Sequence, residues 1–438
     1  MVEGRLSRRP QGRVIAVMVV WNGRRFLERA VSSVLAELGE EDDLLVVDNG
    51  STDGSGEFLR ERFPQAAILA TGENLGGAGG FSAGMRAALR DEGCRQVWLL
   101  DNDIEAEPGA LSALREALDA DAGVAAVGSQ LCLYDDPERV QELGSRYSPW
   151  LGALRQVHHG EPRLAPDSPP RAVDYLPACS LLVRRDALER AGLFREEFFV
   201  FYDDVEWSLR IRAQGGVIKA APGSVVRHCY GGGKETVPWR EYYRKRNRCA
   251  CLSLFPPRLG GRLALLIYLM HVNSLARFFR LQGDETLSGV YERALEDYLA
   301  RRFGRCDDLP EVSETGLPPL LLDAGSIRID SSLSPGDAQA ARARLQSAGH
   351  AGRAGQGGSG ETIVVGERYR WRIARQGRLV RYRCGGRWRE ISSPRREYLL
   401  VLVRRLVSLL TATPAAMAQW RKTRRQSWPS PPTVGADG

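Results

Sequence analysis

Residues 96–103, QVWLLDND, set four consecutive apolar side chains against two carboxylates separated by one residue. Val97, Trp98, Leu99 and Leu100 read as a buried strand, with Asp101 and Asp103 at its carboxyl end. Two like charges beside an apolar wall are costly unless something neutralises them. In an extended segment both carboxylates fall on one side of the chain. Hard oxygen donors at that spacing suit Mg²⁺ or Mn²⁺, which could also hold a diphosphate.

The same pattern recurs upstream. RVIAVMVVWN (13–22), DDLLVVDNGSTDGS (42–55) and AAILATGEN (66–74) read as further strands. GRRFLERAVSSVLAEL (23–38) repeats apolar residues at helical spacing, and SGEFLRERF and GGFSAGMRAALRDEG (79–93) are the next helices. Continuous apolar strands alternating with helices predict a doubly wound, mostly parallel α/β sheet covered on both faces. Ligands in such sheets lie outside the carboxyl ends of the strands. Trp21-Asn22, Asp48, Asn74 and Asp101/Asp103 all fall there.

The glycine-rich stretch NLGGAGGFSAG (74–84) reads as a loop leading into the helix. It lacks the Gly-Lys-Ser/Thr ending of a phosphate-binding P-loop. Ser82 replaces the third glycine of the dinucleotide fingerprint, so P-loop hydrolysis and hydride transfer lose their main support. Further on, FFVFYDDVEWSLR supplies Asp203, Asp204 and Glu206 beside five aromatics. Acids also favour a helix N-terminus, but a carboxylate in a partly apolar setting makes a good general base. His228, one of five histidines, ends an apolar run and could complete a metal site.

Bulk properties fit one large domain with smaller additions. The 438 residues carry a net charge of +7, unevenly spread. Residues 361–438 hold 17 Lys and Arg against 5 Asp and Glu, which leaves the first 360 residues net acidic. A basic end with interleaved aromatics, QWRKTRRQSW, suits an anionic membrane surface. The eight cysteines form no CxxC pair, as expected in a reducing compartment. There is no signal-peptide layout, and the apolar run 263–272 is too short to span a bilayer. The expected location is cytoplasmic, at the inner face of the cell membrane. The expected organisation is a catalytic domain over 1–235, a helical extension over 236–330, a linker over 331–360 and a basic module over 361–438. Within that module 361–392 reads as a hairpin or meander and 397–410 as a helix.

Taken together, VVWN, VVDNGSTDGS, NLGGAGGF, LLDND, FYDDVEWSLR and HCYGGG resemble family 2 glycosyltransferases of the GT-A fold. Within that family the sequence is similar to bacterial galactofuranosyltransferases, which share the NLGG-GGF loop and a W--YY--RN element, here WREYYRKRN (239–247). The resemblance covers residues 13–255. It implies an inverting, metal-dependent transfer of a sugar, galactofuranose, from a UDP-sugar to a glycan or lipid-linked hydroxyl. It implies Mn²⁺ or Mg²⁺ on Asp101, Asp103 and His228. The donor would lie on Trp21, Asn22, Asp48, Asn74, Gly76, Gly77, Gly80 and Asn102, and Asp204 would be the catalytic base. Asp203, Glu206, Trp207 and Trp239 are expected toward the acceptor, with Trp150 and Tyr242 as further aromatics.

The sequence departs from the large polymerising galactofuranosyltransferases. It has no β-sandwich ahead of the first strand, and Asn102 stands in the middle of the acidic triplet. Both points argue against a processive polymerase, and a rhamnosyltransferase using a dTDP-sugar is the alternative. A sugar-1-phosphate nucleotidyltransferase would need a basic glycine-rich signature after the first strand, where WNGRRFLERAV lacks it. A nucleic-acid-binding scaffold is disfavoured, because the carboxylate clusters repel phosphates.

Overall fold

The structure is a computed structural model. It describes residues 12–229, 237–281 and 285–310, five short strand segments outside these ranges, a helix over Pro394–Thr423, and Trp428. The expected linker, 331–360, lies outside the described residues.

Strands β1 (Arg13–Val20), β2 (Asp43–Asp48), β3 (Ala67–Ala70) and β4 (Cys94–Asp101) alternate with helices α1 (Arg24–Glu37), α2 (Ser55–Arg62) and α3 (Gly76–Leu89). Strand β5 (Ile104–Ala106), helix α4 (Ala110–Asp119) and strands β6 (Val124–Leu133) and β7 (Asp136–Glu142) follow. After them come β8 (Ser180–Arg184), α5 (Arg185–Ala191), α6 (Asp203–Ala213) and β9 (Val217–His228). The main sheet runs β3-β2-β1-β4-β8-β6-β9, with β5 paired to β9, β7 to β6, and a two-residue strand at each edge.

Neighbours from β3 to β4 are parallel, as are β6 and β9, while β8 runs antiparallel to both β4 and β6. Side chains alternate along β1. Ile15, Val17 and Val19 enter the core under α3, and Val14, Ala16, Met18 and Val20 enter the core under α1 and α4. Burial on both faces explains the unbroken apolar runs.

The glycine-rich stretch is not a loop ahead of the helix. It forms the first turns of α3, which begins at Gly76. The reason is packing against β1. A Cβ on Gly80 would stand 2.6 Å from Val19, and one on Gly84 would stand 2.3 Å from Val17.

Helices α7 (Pro238–Leu254), α8 (Gly261–Leu281) and α9 (Glu285–Leu299) form the helical extension. The apolar run 263–272 lies in α8. Ala264, Leu265, Tyr268, Leu269 and Val272 are buried, whereas Leu263 and Ile267 are exposed. The C-terminal helix α10 (Pro394–Thr423) runs beyond the expected 397–410 and lies along α8. The Trp420 indole donates to the Arg262 carbonyl at 2.8 Å, and the Asn273 amide donates to Gln419 at 2.7 Å. The strands Leu379–Cys384 and Arg387–Ile391 pair as an antiparallel hairpin. Among the described residues, no helix is long and apolar enough to cross a membrane.

Trp207 and Glu206 correct an expectation placed on the acceptor side. Both stand one turn beyond the acids at the start of α6 and are buried in the core. Trp207 is 0% exposed, donates its indole N–H to the Gly192 carbonyl at 2.8 Å and packs edge-on against Phe194. Glu206, 1% exposed, is held by Arg195 at 3.2 Å and by Arg210 at 2.7 Å. Both fix α6 to the core. Tyr242 is buried as well, its hydroxyl donating to Asp297. Trp207→Ala should cost about 3–5 kcal/mol of stability, measured as a shift of the urea unfolding midpoint.

Candidate active site

Four adjacent parallel strands end on one edge of the sheet, and the expected donor residues stand there. After β1, Asn22 accepts the Thr52 N–H at 2.8 Å, and Trp21 is 53% exposed. At the end of β2, the Asp48 carboxylate accepts the Ser51 N–H at 3.0 Å. Beyond β3, Asn74 accepts the Gly76 N–H at 2.8 Å, and Asn49 reaches across to the Gly76 carbonyl at 3.0 Å.

Asn102 follows β4 and lies against Gly23, where a Cβ would overlap its amide. Gly23 is thus required for the approach of these two strand ends, a role not evident in the sequence. Gly77 faces Asp203, at 3.7 Å from where its Cβ would be. Gly76 holds a positive φ against the Phe199 carbonyl. Gly80, by contrast, is turned to Val19 and Asn49 rather than to open space.

The acidic residues meet at the same edge. Burial raises the Asp101 carboxyl, and the neighbouring Asp103 raises it further. His228, at the end of β9, places Nε2 3.2 Å from the Asp103 carboxylate. Burial works against a charged imidazole there, but the hydrogen bond to Asp103 prevails and the group sits above its ordinary value. Gln141 Oε1 lies 3.0 Å from His228 Nδ1. An amide oxygen only accepts, so Nδ1 carries a proton whether or not Nε2, turned to the acids, is protonated as well.

Cys179 Sγ lies 3.0 Å from Asp101 Oδ2. The ligand atoms of Asp101, Cys179 and His228 all fall within 4.8 Å of one another. These donors fit a divalent cation: oxygen, nitrogen and sulfur atoms converge, and two carboxylates stand close together with a cost to ionisation. Sequence reading missed both Gln141 and Cys179.

Asp203 and Asp204 open α6. Burial pushes the Asp204 carboxyl up to about 6, opposed by the Tyr175 hydroxyl, which donates to it at 2.8 Å. Asp203 is raised well above the usual range by burial and by Asp204. The charge of Asp101 acts on both, so the two pairs of acids lie near one another.

The chain reaches α6 through a strained turn. Phe199, Phe201 and Tyr202 all have φ between 61° and 68°, a region that costs a bulky residue about 1–3 kcal/mol. The turn is held from α7. The Asn247 amide donates to the carbonyls of Phe198, Val200 and Phe201 at 2.8–2.9 Å, and Arg246 donates to Phe198 at 3.0 Å. Both residues close the WREYYRKRN element. Trp239, at its start, is 39% exposed and stacks on Phe201 at 5.8 Å.

Residues 15–192 match the family model for glycosyl transferase family 2. Among curated proteins, the chain is 28% identical over 235 residues to an N-acetylglucosaminyl-diphospho-decaprenol L-rhamnosyltransferase of Mycobacterium tuberculosis, covering 48% of this chain and 74% of that protein. It is 30% identical to galactofuranosyltransferase GlfT1 of Mycolicibacterium smegmatis, covering 46% of this chain and 66% of the relative. It is 25% identical to GlfT2 of the same organism, spanning 42% of that relative's length. Among solved structures, GalNAc-T7 with UDP, GalNAc and Mn²⁺ has a TM-score of 0.46 at 14% identity, covering 66% of this chain and 56% of that chain.

Asn247→Ala removes the clamp on the turn. The expected result is a loss of about 1–3 kcal/mol in stability and a fall in turnover larger than any change in nucleotide binding. Urea unfolding and steady-state kinetics check both.

Proposed function

This chain belongs to glycosyltransferase family 2, and from that premise we propose that it transfers galactofuranose from UDP-galactofuranose to a hydroxyl of a glycan or lipid-linked acceptor. The observation that carries the reading is the nearness of Asp101, Asp103 and His228, at the strand ends, to a carboxylate, Asp204, that burial pushes up to about 6. The galactofuranosyl assignment draws on the names of the GlfT1 and GlfT2 relatives. Rhamnosyl transfer from a dTDP-sugar is the second reading, favoured by the relative that the chain covers over 74% of its length.

Trp21, Asn22 and Asp48 hold the base and ribose, and Asn74 with the start of α3 borders the diphosphate and sugar. Asp101, Asp103 and His228 would hold Mn²⁺ or Mg²⁺. Such an ion supplies positive charge where negative charge grows on the departing diphosphate. Asp204 takes the proton of the acceptor hydroxyl, whose oxygen attacks the anomeric carbon from the face opposite the leaving group, so configuration inverts. A carboxyl raised by burial suits this task, because its proton affinity lies closer to that of the hydroxyl it must relieve. Tyr175 keeps the carboxylate oriented through its hydrogen bond. Trp239 on Phe201 offers an aromatic face for the acceptor sugar.

The basic segment after residue 361 and the exposed apolar side chains Leu263, Ile267, Val403 and Val407 suit docking at the inner face of an anionic membrane. Deleting residues 361–438 should lower co-sedimentation with phosphatidylglycerol vesicles; unchanged binding would refute membrane docking by this segment.

Calorimetric titration with UDP should show binding that requires Mn²⁺ and is lost in Asp103→Ala. No binding of UDP, with dTDP binding in its place, would favour the rhamnosyl reading. Asp204→Asn should lower kcat by roughly 100- to 10,000-fold. The base must be ionised to act, so kcat/KM should climb as pH rises through about 6 and level off above it. A flat profile between pH 5 and 7 would contradict the assignment of Asp204.

A further inference from the structure

Cys179 owes its position to the antiparallel strand in the middle of the sheet. The β8 register sets Ser180 opposite Leu100. The next residue out, Cys179, therefore stands beside Asp101, and the Asp101 N–H donates to its carbonyl at 3.3 Å. Its thiol is brought to the mouth of the sheet by backbone pairing. Sγ is 3.0 Å from Asp101 Oδ2 and 3.9 Å from His228 Nε2, which is itself 3.2 Å from Asp103 Oδ1. In a tetrahedral zinc site, bonds of about 2.0 Å to nitrogen and oxygen and about 2.3 Å to sulfur put neighbouring donors about 3.3–3.6 Å apart. The two separations from Sγ bracket that value, and the donor atoms of Asp101, Cys179 and His228 all lie within 4.8 Å of one another.

We propose that Cys179 is a donor at this position, so that the site takes a thiophilic cation, Zn²⁺ or Cd²⁺, more tightly than Mg²⁺. The inference rests on the reading of Asp101, Asp103 and His228 as a metal position. Mg²⁺ prefers oxygen donors, keeps its waters and leaves a soft sulfur unused. Zn²⁺ would draw on the Cys179 sulfur, the His228 nitrogen and the Asp101 carboxylate together, a three-donor set with a fourth position open. On binding, the thiol gives up its proton to solvent, and a metal–sulfur bond replaces the S–H···Oδ2 hydrogen bond to Asp101.

The first test is optical and uses the full chain. Co²⁺ or Cd²⁺ added to the wild-type protein should produce a sulfur-to-metal charge-transfer band in the ultraviolet, absent from Cys179→Ala and Cys179→Ser. Calorimetric titration should show Zn²⁺ affinity falling roughly 10- to 100-fold in Cys179→Ala, with a smaller change for Mn²⁺. The serine variant, nearly isosteric, guards against a packing defect, and circular dichroism checks the fold of both. Cobalt binding by the wild-type chain without the sulfur band would overturn the role of Cys179. If the wild-type chain bound none of Mn²⁺, Co²⁺ or Zn²⁺, the metal position itself would fall.

Discussion

The repulsion between Asp101 and Asp103 governs the rest of the site. Asp101 ends a strand whose preceding side chains are buried, so its charge is poorly solvated and sits next to a second carboxylate. Nearly everything nearby acts on that charge. His228 brings an imidazole to Asp103, Gln141 fixes the direction of the ring, and the Cys179 thiol donates to Asp101. These contacts relieve the repulsion only in part, since the Asp101 carboxyl remains raised. A site that stays short of positive charge suits a cation.

The second pair of acids is set differently. Asp203 and Asp204 depend on a turn that the aromatic residues before them do not favour. The energy that holds Phe199, Phe201 and Tyr202 at positive φ comes from another part of the chain, through Asn247 and Arg246. Glu206 and Trp207 anchor the same helix from inside. The start of α6 is thus fixed from two sides, by hydrogen bonds to the turn and by a buried ion-pair cluster one turn into the helix.

Much of this was legible in the sequence, for a physical reason. Strands buried on both faces read as unbroken apolar runs, and the residue that ends such a run must stand at the sheet edge. Asn22, Asp48 and Asp101 could therefore be located before any coordinates. Helix α6 was harder to read. Asp203, Asp204, Glu206 and Trp207 look alike as a polar and aromatic string, yet Glu206 and Trp207, one turn further into α6, are taken up by core contacts. Gln141, Tyr175 and Cys179 gave no local signal. They reach the site through strand pairing between distant segments, and register across a sheet leaves no trace in composition. The glycines of 74–84 carried a signal that pointed to a ligand loop, whereas Gly80 and Gly84 are small because α3 lies close on β1.

The clamp from α7 changes what counts as one folding unit. The family match ends at residue 192, ahead of α6, and the carboxylates of the site are all present by residue 204. A chain ended before Pro238 would hold every acidic group and none of the hydrogen bonds that Arg246 and Asn247 give the turn at Phe198–Phe201. The helical extension is in this sense an internal scaffold for the start of α6, built from residues later in the chain than everything it supports.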